Sequence, residues 1–167
     1  MERLFGFEIH HRRLVQISLA TLLLMFSCAT SKKANVRAQK VEQVIRSARA
    51  YTGTPYKYGG TTRAGMDCSG LLCNSFKAIN IDLPRSSADQ SKVGTEVTMK
   101  DLQPGDLVFF ATGRKKRKVT HVGMVTEVRG DDEVKFIHAS SSLGVVETNI
   151  YADYYQKRFR GARRVIQ

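Results

Sequence analysis

Apolar residues recur with helical spacing in the first half of the chain and in short, strand-like runs in the second. Val41, Val44, Ile45, Ala48 and Tyr51 predict a helix with one buried face. Gly53, Pro55, Gly59, Gly60 and Gly65 break the next stretch into turns. Leu71, Leu72, Phe76 and Ile79 predict a second helix starting at or near Asp67, an accepted N-cap residue. Beyond Pro84, Ser86-x-x-Asp89 has capping-box spacing with a shorter acid and predicts a third, short helix. At the turn Gln103-Pro104-Gly105-Asp106 the pattern changes. Leu107 to Phe110, Val122 to Val128, Val134 to His138, Val145 to Ile150 and Gly161 to Ile166 read as strands. Helices followed by short strands argue for an α+β domain with an antiparallel sheet, without internal repeats or a second domain.

The first thirty residues follow a different logic. Arg12 and Arg13 precede a mostly apolar run, Leu14 to Phe26, and then Ser27-Cys28. The run is shorter than the roughly 20 residues a membrane span needs. Its basic flank, apolar centre and small residue before the exit are those of a secretory signal. Around Met25-Phe26-Ser27-Cys28 it resembles a bacterial lipoprotein signal. That resemblance implies cleavage before Cys28, acylation of Cys28, and, with Ala29 rather than Asp next, outer-membrane retention facing the periplasm. The expected organisation is a signal peptide over 1–27, a polar tether over 28–35 and a folded domain over 36–167.

Composition narrows the partners. The 167 residues carry 27 Lys and Arg against 15 Asp and Glu, a net +12 that favours anionic partners. Arg114-Lys115-Lys116-Arg117-Lys118 is the densest run, and Lys157, Arg158, Arg160, Arg163 and Arg164 form a second. Such runs are solvated loops by default, or attract carboxylates or anionic lipid. No element that reads or stacks nucleic-acid bases is visible, so nucleic acid is not an expected partner. The three cysteines have neither the number for a disulfide scaffold nor zinc-site spacing, and no metal or cofactor is implied.

Cys68 would sit at the start of the second helix, facing unpaired N–H groups and the positive end of the dipole, which favours thiolate and predicts a lowered pKa. Cys73 lies about 140° around the same helix and points elsewhere, into the core, which argues against a Cys68–Cys73 disulfide. A thiol nucleophile needs a base. Beyond the signal the chain has only His121 and His138, both in predicted strands. Pairing about the turn Arg129 to Glu133 brings position 121 opposite roughly 138 to 140, so both imidazoles share a face provided the hairpin has no bulge. One ring could take the thiol proton and the other could orient it.

Gly53-Thr54-Pro55-Tyr56-Lys57-Tyr58-Gly59-Gly60, Asp67-Cys68-Ser69-Gly70, Leu83-Pro84-Arg85, Gly105-Asp106-Leu107-Val108-Phe109-Phe110, Thr120-His121-Val122-Gly123 and Ile137-His138-Ala139-Ser140 occur in that order. Together they resemble the NlpC-type family of cell-wall cysteine peptidases, from about Val41 to Val165. The resemblance implies a circularly permuted papain-like α+β fold, with N-terminal helices packed on a central antiparallel sheet. It also implies thiol cleavage of peptidoglycan stem-peptide bonds, either D-glutamyl to diamino acid or the D-alanyl cross-link. By position, Cys68 would be the nucleophile, His121 the base and His138 the orienting residue. Tyr56 would join the Cys68 backbone N–H in holding the oxyanion, a donor worth roughly 3 kcal/mol. Asp67, Ser69 and Arg85 match positions near the substrate groove. Ser86 stands where members that trim small recycling peptides carry an acid to hold a free amine, which favours intact wall peptide. The chain is similar to the compact murein endopeptidase lipoproteins. A non-catalytic peptidoglycan-binding lipoprotein, or a lipid acyltransferase on a related thiol fold, remain the other readings.

Overall fold

In the computed structural model, residues 32–130 and 132–167 are described. The signal run Leu14 to Phe26 and Cys28 lie outside them. Residues 32–38 are helical although they fall largely in the expected tether. Lys32, Lys33, Ala34, Arg37 and Ala38 are good helix formers, and no Gly or Pro stops them.

Residues 39–167 form one compact unit. It opens with helix α1, residues 39–49. A two-stranded hairpin follows, β1 (Thr61–Thr62) and β2 (Gly65–Met66), then helices α2 (Cys68–Lys77) and α3 (Ser87–Gln90). The remainder is mostly strand: β3 (Thr95–Val97), β4 (Leu107–Phe110), β5 (His121–Arg129), β6 (Glu133–Ser140) and β7 (Gly144–Asn149). A single-turn helix, α4 (Asp153–Gln156), leads into β8 (Phe159–Arg164). The six-stranded sheet has the order β3-β8-β4-β5-β6-β7, with every pairing antiparallel.

Alternation in β4 shows how the sheet organises the core. Leu107 and Phe109 join α1 and α2 residues such as Val44, Ala48, Leu71, Leu72 and Phe76 in one apolar cluster. Val108 and Phe110 point the other way, into a second cluster with Val125, Phe136, Ile150 and Ala162. Successive strand residues face opposite sides, and both sides of β4 are covered, so all four residues are buried. Asp106, fully buried at the start of this strand, accepts from the Gln103 N–H at 2.8 Å. It also takes two hydrogen bonds from Arg164, at 2.8 and 2.7 Å, tying β8 to the turn. A buried carboxylate stripped of such a partner typically costs about 3–5 kcal/mol.

Several element ends differ from the sequence reading. Tyr51 and Ile79 lie just past their helices, and Ile150, Val165 and Ile166 just past their strands, yet all pack on the core. Burial therefore outlasts regular hydrogen bonding at these ends. Strand β3 was not expected: two of its three residues are exposed, so no apolar alternation marks it. The β1–β2 hairpin and α4 are equally short, with too few residues to show a period.

The β5–β6 hairpin departs from simple pairing in one respect. Arg129, Val128 and Glu127 pair with Glu133, Val134 and Lys135, but Val125 and Met124 pair with Phe136 and Ile137. Thr126 is the extra residue, and the register shifts there by one.

Candidate active site

Cys68 is the first residue of α2, and the helix starts there because Asp67 caps it. The Asp67 carboxylate accepts from the Gly70 N–H at 2.7 Å through Oδ1 and from the Gly59 N–H at 2.8 Å through Oδ2. Arg85 clamps both oxygens, at 2.9 and 2.7 Å, and also donates to the Ser69 hydroxyl at 2.8 Å. Burial works against ionisation of Asp67, but the hydrogen bonds from Arg85, Gly70 and Gly59 outweigh it and hold the carboxyl below its ordinary range. Gly70 is required by close approach: a side chain there would run into the Gly60 carbonyl, which accepts from the Asp67 N–H at 3.1 Å.

The cysteine itself is 7% exposed. Burial pushes its thiol up, against backbone N–H groups of Val122, Ser69 and Cys68 that favour the anion. The lowered pKa expected from the helix terminus is therefore not what the structure gives, because desolvation exceeds what the few N–H groups return. Cys73 points away, its sulfur 3.5 Å from the carbonyls of Leu83 and Pro84. Both thiols are free.

The second half of the site comes from the sheet. His121 begins β5 and His138 lies in β6. The hairpin does carry a bulge, and the bulge brings the histidines together. Above Thr126 the Met124–Ile137 register extends to set position 138 against 123, two residues from 121 and hence on the same face. Continuing the register of Arg129 to Glu127 would have put the two rings on opposite faces. His121 Nε2 lies 3.1 Å from His138 Nδ1, and the rings meet edge to face at 5.0 Å between centroids. Gly123 makes room, since a side chain there would collide with the Phe136 ring, which stacks on His138 at 4.7 Å.

Burial lowers both imidazoles, His121 to about 4 and His138, with the added effect of His121, to about 3. Both rings are neutral at pH 7. With His121 Nε2 engaged by His138, Nδ1 is the nitrogen left to receive a proton. The Cys68 sulfur lies against the backbone N–H of Val122, the residue after His121. His138 is fully buried, with its Nε2 3.1 Å from the Thr148 hydroxyl and 3.2 Å from the Tyr155 hydroxyl.

A two-lobed cleft meets these groups, each lobe about 440 Å³. One lobe is lined by Asp67, Cys68, Ser69, Arg85 and Ser86, and the other by His121, Ser140 to Leu143, Tyr154 and Tyr155. Tyr56 and Thr120 line both. Burial and the nearby Cys68 push the Tyr56 phenol up, so it stays a hydrogen-bond donor. The Ser86 hydroxyl caps α3, accepting from the Asp89 N–H at 3.1 Å. Thus the structure gathers Cys68, His121, Tyr56, Asp67, Ser69, Arg85 and Ser86 at one cleft, with His138 buried behind His121. Tyr155 joins the cleft and Thr148 stands beside His138, both unannounced: a lone threonine or tyrosine in a strand or single-turn helix carries no sequence signal. Among the described residues no group of acidic, histidine and cysteine side chains could hold a metal ion.

Residues 53–164 match the model of the NlpC/P60 family. The Escherichia coli (strain K12) protein named "Probable endopeptidase NlpC" is 37% identical over 154 residues, covering 88% of this chain and 96% of its own length. The protein of the same organism named "Murein DD-endopeptidase MepS/Murein LD-carboxypeptidase" is 38% identical over 117 residues, covering 70% of this chain and 58% of its own. A crystal structure of an NlpC/P60 family protein from Bacillus cereus superposes with a TM-score of 0.68 at 34% identity, over 76% of this chain and 40% of that one. With the family model covering most of the folded unit and a relative 37% identical over most of both chains, the chain belongs to the NlpC/P60 family.

Proposed function

We propose that this chain is a peptidoglycan endopeptidase that cuts stem-peptide bonds with Cys68 as nucleophile. The observation that carries the reading is the His121–His138 pair, with 3.1 Å between the two imidazoles, set behind a cleft that Cys68 and His121 both line. The Cys68 thiol gives its proton to His121 Nδ1 as sulfur attacks the scissile carbonyl carbon. The tetrahedral oxyanion is held by the Cys68 backbone N–H and the Tyr56 hydroxyl. His121 passes the proton to the leaving amine, and a thioester remains on Cys68. Water, deprotonated by His121, then attacks the thioester, releasing the acid and restoring the thiol.

The Asp67 lobe supports intact wall peptide as substrate. Among the described residues its only carboxylate is Asp67, both oxygens of which are held by Arg85 and by backbone N–H groups. With Ser86 in place of an acid, nothing in that lobe is left to pair a free terminal amine. Lipid anchoring through Cys28 on the periplasmic face of the outer membrane is supported by the sequence of the first thirty residues. Moving Cys28→Ala protein into the soluble fraction would support it, and unchanged detergent partitioning would refute it.

The deciding experiment is mass spectrometry of monomeric and cross-linked muropeptides after incubation with the chain and with its Cys68→Ala variant. Cysteine-dependent products are expected, and their masses separate stem cutting from cross-link cutting. Binding without products would mean a wall-binding lipoprotein, and release of fatty acid instead of amino groups would mean acyl transfer.

A further inference from the structure

His138 is a buried ring with hydrogen-bond partners at both nitrogens, and the partners at its far side have no part in the scheme above. Nδ1 meets His121. Nε2 has two hydroxyls in reach, Thr148 Oγ1 at 3.1 Å and the Tyr155 oxygen at 3.2 Å. They come from different elements. Thr148 lies on β7 opposite Phe136, one diagonal step from His138 on the same face. Tyr155 comes from α4, its ring edge-on to His138 at 5.2 Å and to Phe136 at 4.9 Å. The titratable groups facing His138 are His121 and Tyr155, and no carboxylate is among its hydrogen-bond partners.

Proton bookkeeping gives these hydroxyls a task. For His121 to accept the thiol proton at Nδ1, its own proton must sit on Nε2 and be donated to His138 Nδ1. The His138 proton then sits on Nε2, in a buried place, where an N–H without an acceptor is costly. If His138 instead held its proton on Nδ1, His121 would carry its own on Nδ1, pointing it at the sulfur, and could not act as a base. The geometry assigns Thr148 and Tyr155 as positioning residues. Their oxygens can accept from His138 Nε2–H, so the tautomer in which His121 is a base leaves no buried N–H unpaired. Burial, then Tyr154, pushes the Tyr155 phenol up to about 12, so it stays a neutral hydroxyl throughout. This inference rests on the reading of Cys68 and His121 as nucleophile and base, and deepens it.

The test uses Thr148→Val, Tyr155→Phe and the double variant, each of which keeps the side-chain volume and removes an oxygen. The readout independent of any peptidase substrate is the pH profile of alkylation of Cys68 by iodoacetamide, followed by mass on the Cys68 peptide. We expect each single variant to slow alkylation at pH 7 by about 3- to 10-fold and the double variant by about 10- to 100-fold, the profile moving to higher pH. Thr148→Ser should behave as the parent. On muropeptides kcat should fall with KM unchanged. An unmoved alkylation profile in a folded double variant would overturn the assignment, as would a change in KM alone, which would make Tyr155 only a wall of the cleft. Should the double variant fail to fold, Tyr155→Phe decides by the same criteria. A moved alkylation profile without muropeptide turnover in the parent would uphold the positioning role and reject the peptidase reading.

Discussion

The two halves of the cleft are built from opposite chemistry. Around Cys68 the structure is polar and ionic: Asp67, Arg85, Ser69 and two backbone N–H groups form one closed network, and the Arg85 side chain stays 45% exposed. Around His121 it is aromatic and dry. Phe110, Phe136 and Tyr155 pack on the imidazoles, and hydrogen bonds run in single file from His121 through His138 to two hydroxyls. The ionic half fixes a helix end and presents a charged wall to substrate. The dry half keeps both imidazoles neutral, so that one can take a proton. Because burial also raises the thiol, the resting pair is thiol and imidazole, so the proposed mechanism has the proton move during attack rather than before it.

Breaking either half should abolish turnover, with different side effects. Cys68→Ala should lower muropeptide hydrolysis by at least about 1,000-fold, and His121→Ala nearly as much, while thermal denaturation shows the fold retained. His138→Gln should be milder, about 10- to 100-fold in kcat, since an amide can still accept from His121.

A pH titration sharpens the contrast without breaking the site. Folded His121 and His138 sit near 4 and 3, below the ordinary histidine value of about 6.5. Between those values the unfolded chain binds more protons than the folded one, so stability rises with pH through that window and is lost as pH falls. Melting temperatures from pH 7 down to 4 should therefore decline, and His138→Gln should flatten the decline. The acid limb of kcat/KM should fall near 4, and its alkaline limb above the ordinary thiol range.

The smallest effect belongs to the basic loop. Arg114 to Lys118 are all exposed, and among the described residues none is in an ion pair with an acid. The loop is held at its base by Thr120, whose hydroxyl accepts from the Thr112 and Gly113 N–H groups, and by Arg160, which donates to the Lys116 carbonyl at 2.6 Å. Replacing all five cations by Gln should lower kcat/KM on anionic muropeptides by up to about 10-fold at low salt, with the difference vanishing at high salt. Salt-independent loss would show that the loop acts by shape.

Local chemistry was legible and long-range register was not. Asp67 as N-cap, the turn at Gln103 to Asp106 and the capping box at Ser86 each depend on residues within four positions of one another. The inward faces of α1 and α2 follow from their apolar spacing. The pairing of His121 with His138 could be suspected from the hairpin, but the bulge at Thr126 decides that the two rings share a face. No residue type announces that bulge.

The sequence by itself determined the class of fold, the start of the Cys68 helix and which thiol and histidines are the candidates, because capping and amphipathic periodicity are local and a chain with so few histidines leaves little choice. Tertiary structure alone decided the protonation balance and the proton file. Burial that raises Cys68 and lowers both imidazoles is the sum of distant elements closing over them, and Thr148 and Tyr155 reach His138 only once β7 and α4 have packed against β6.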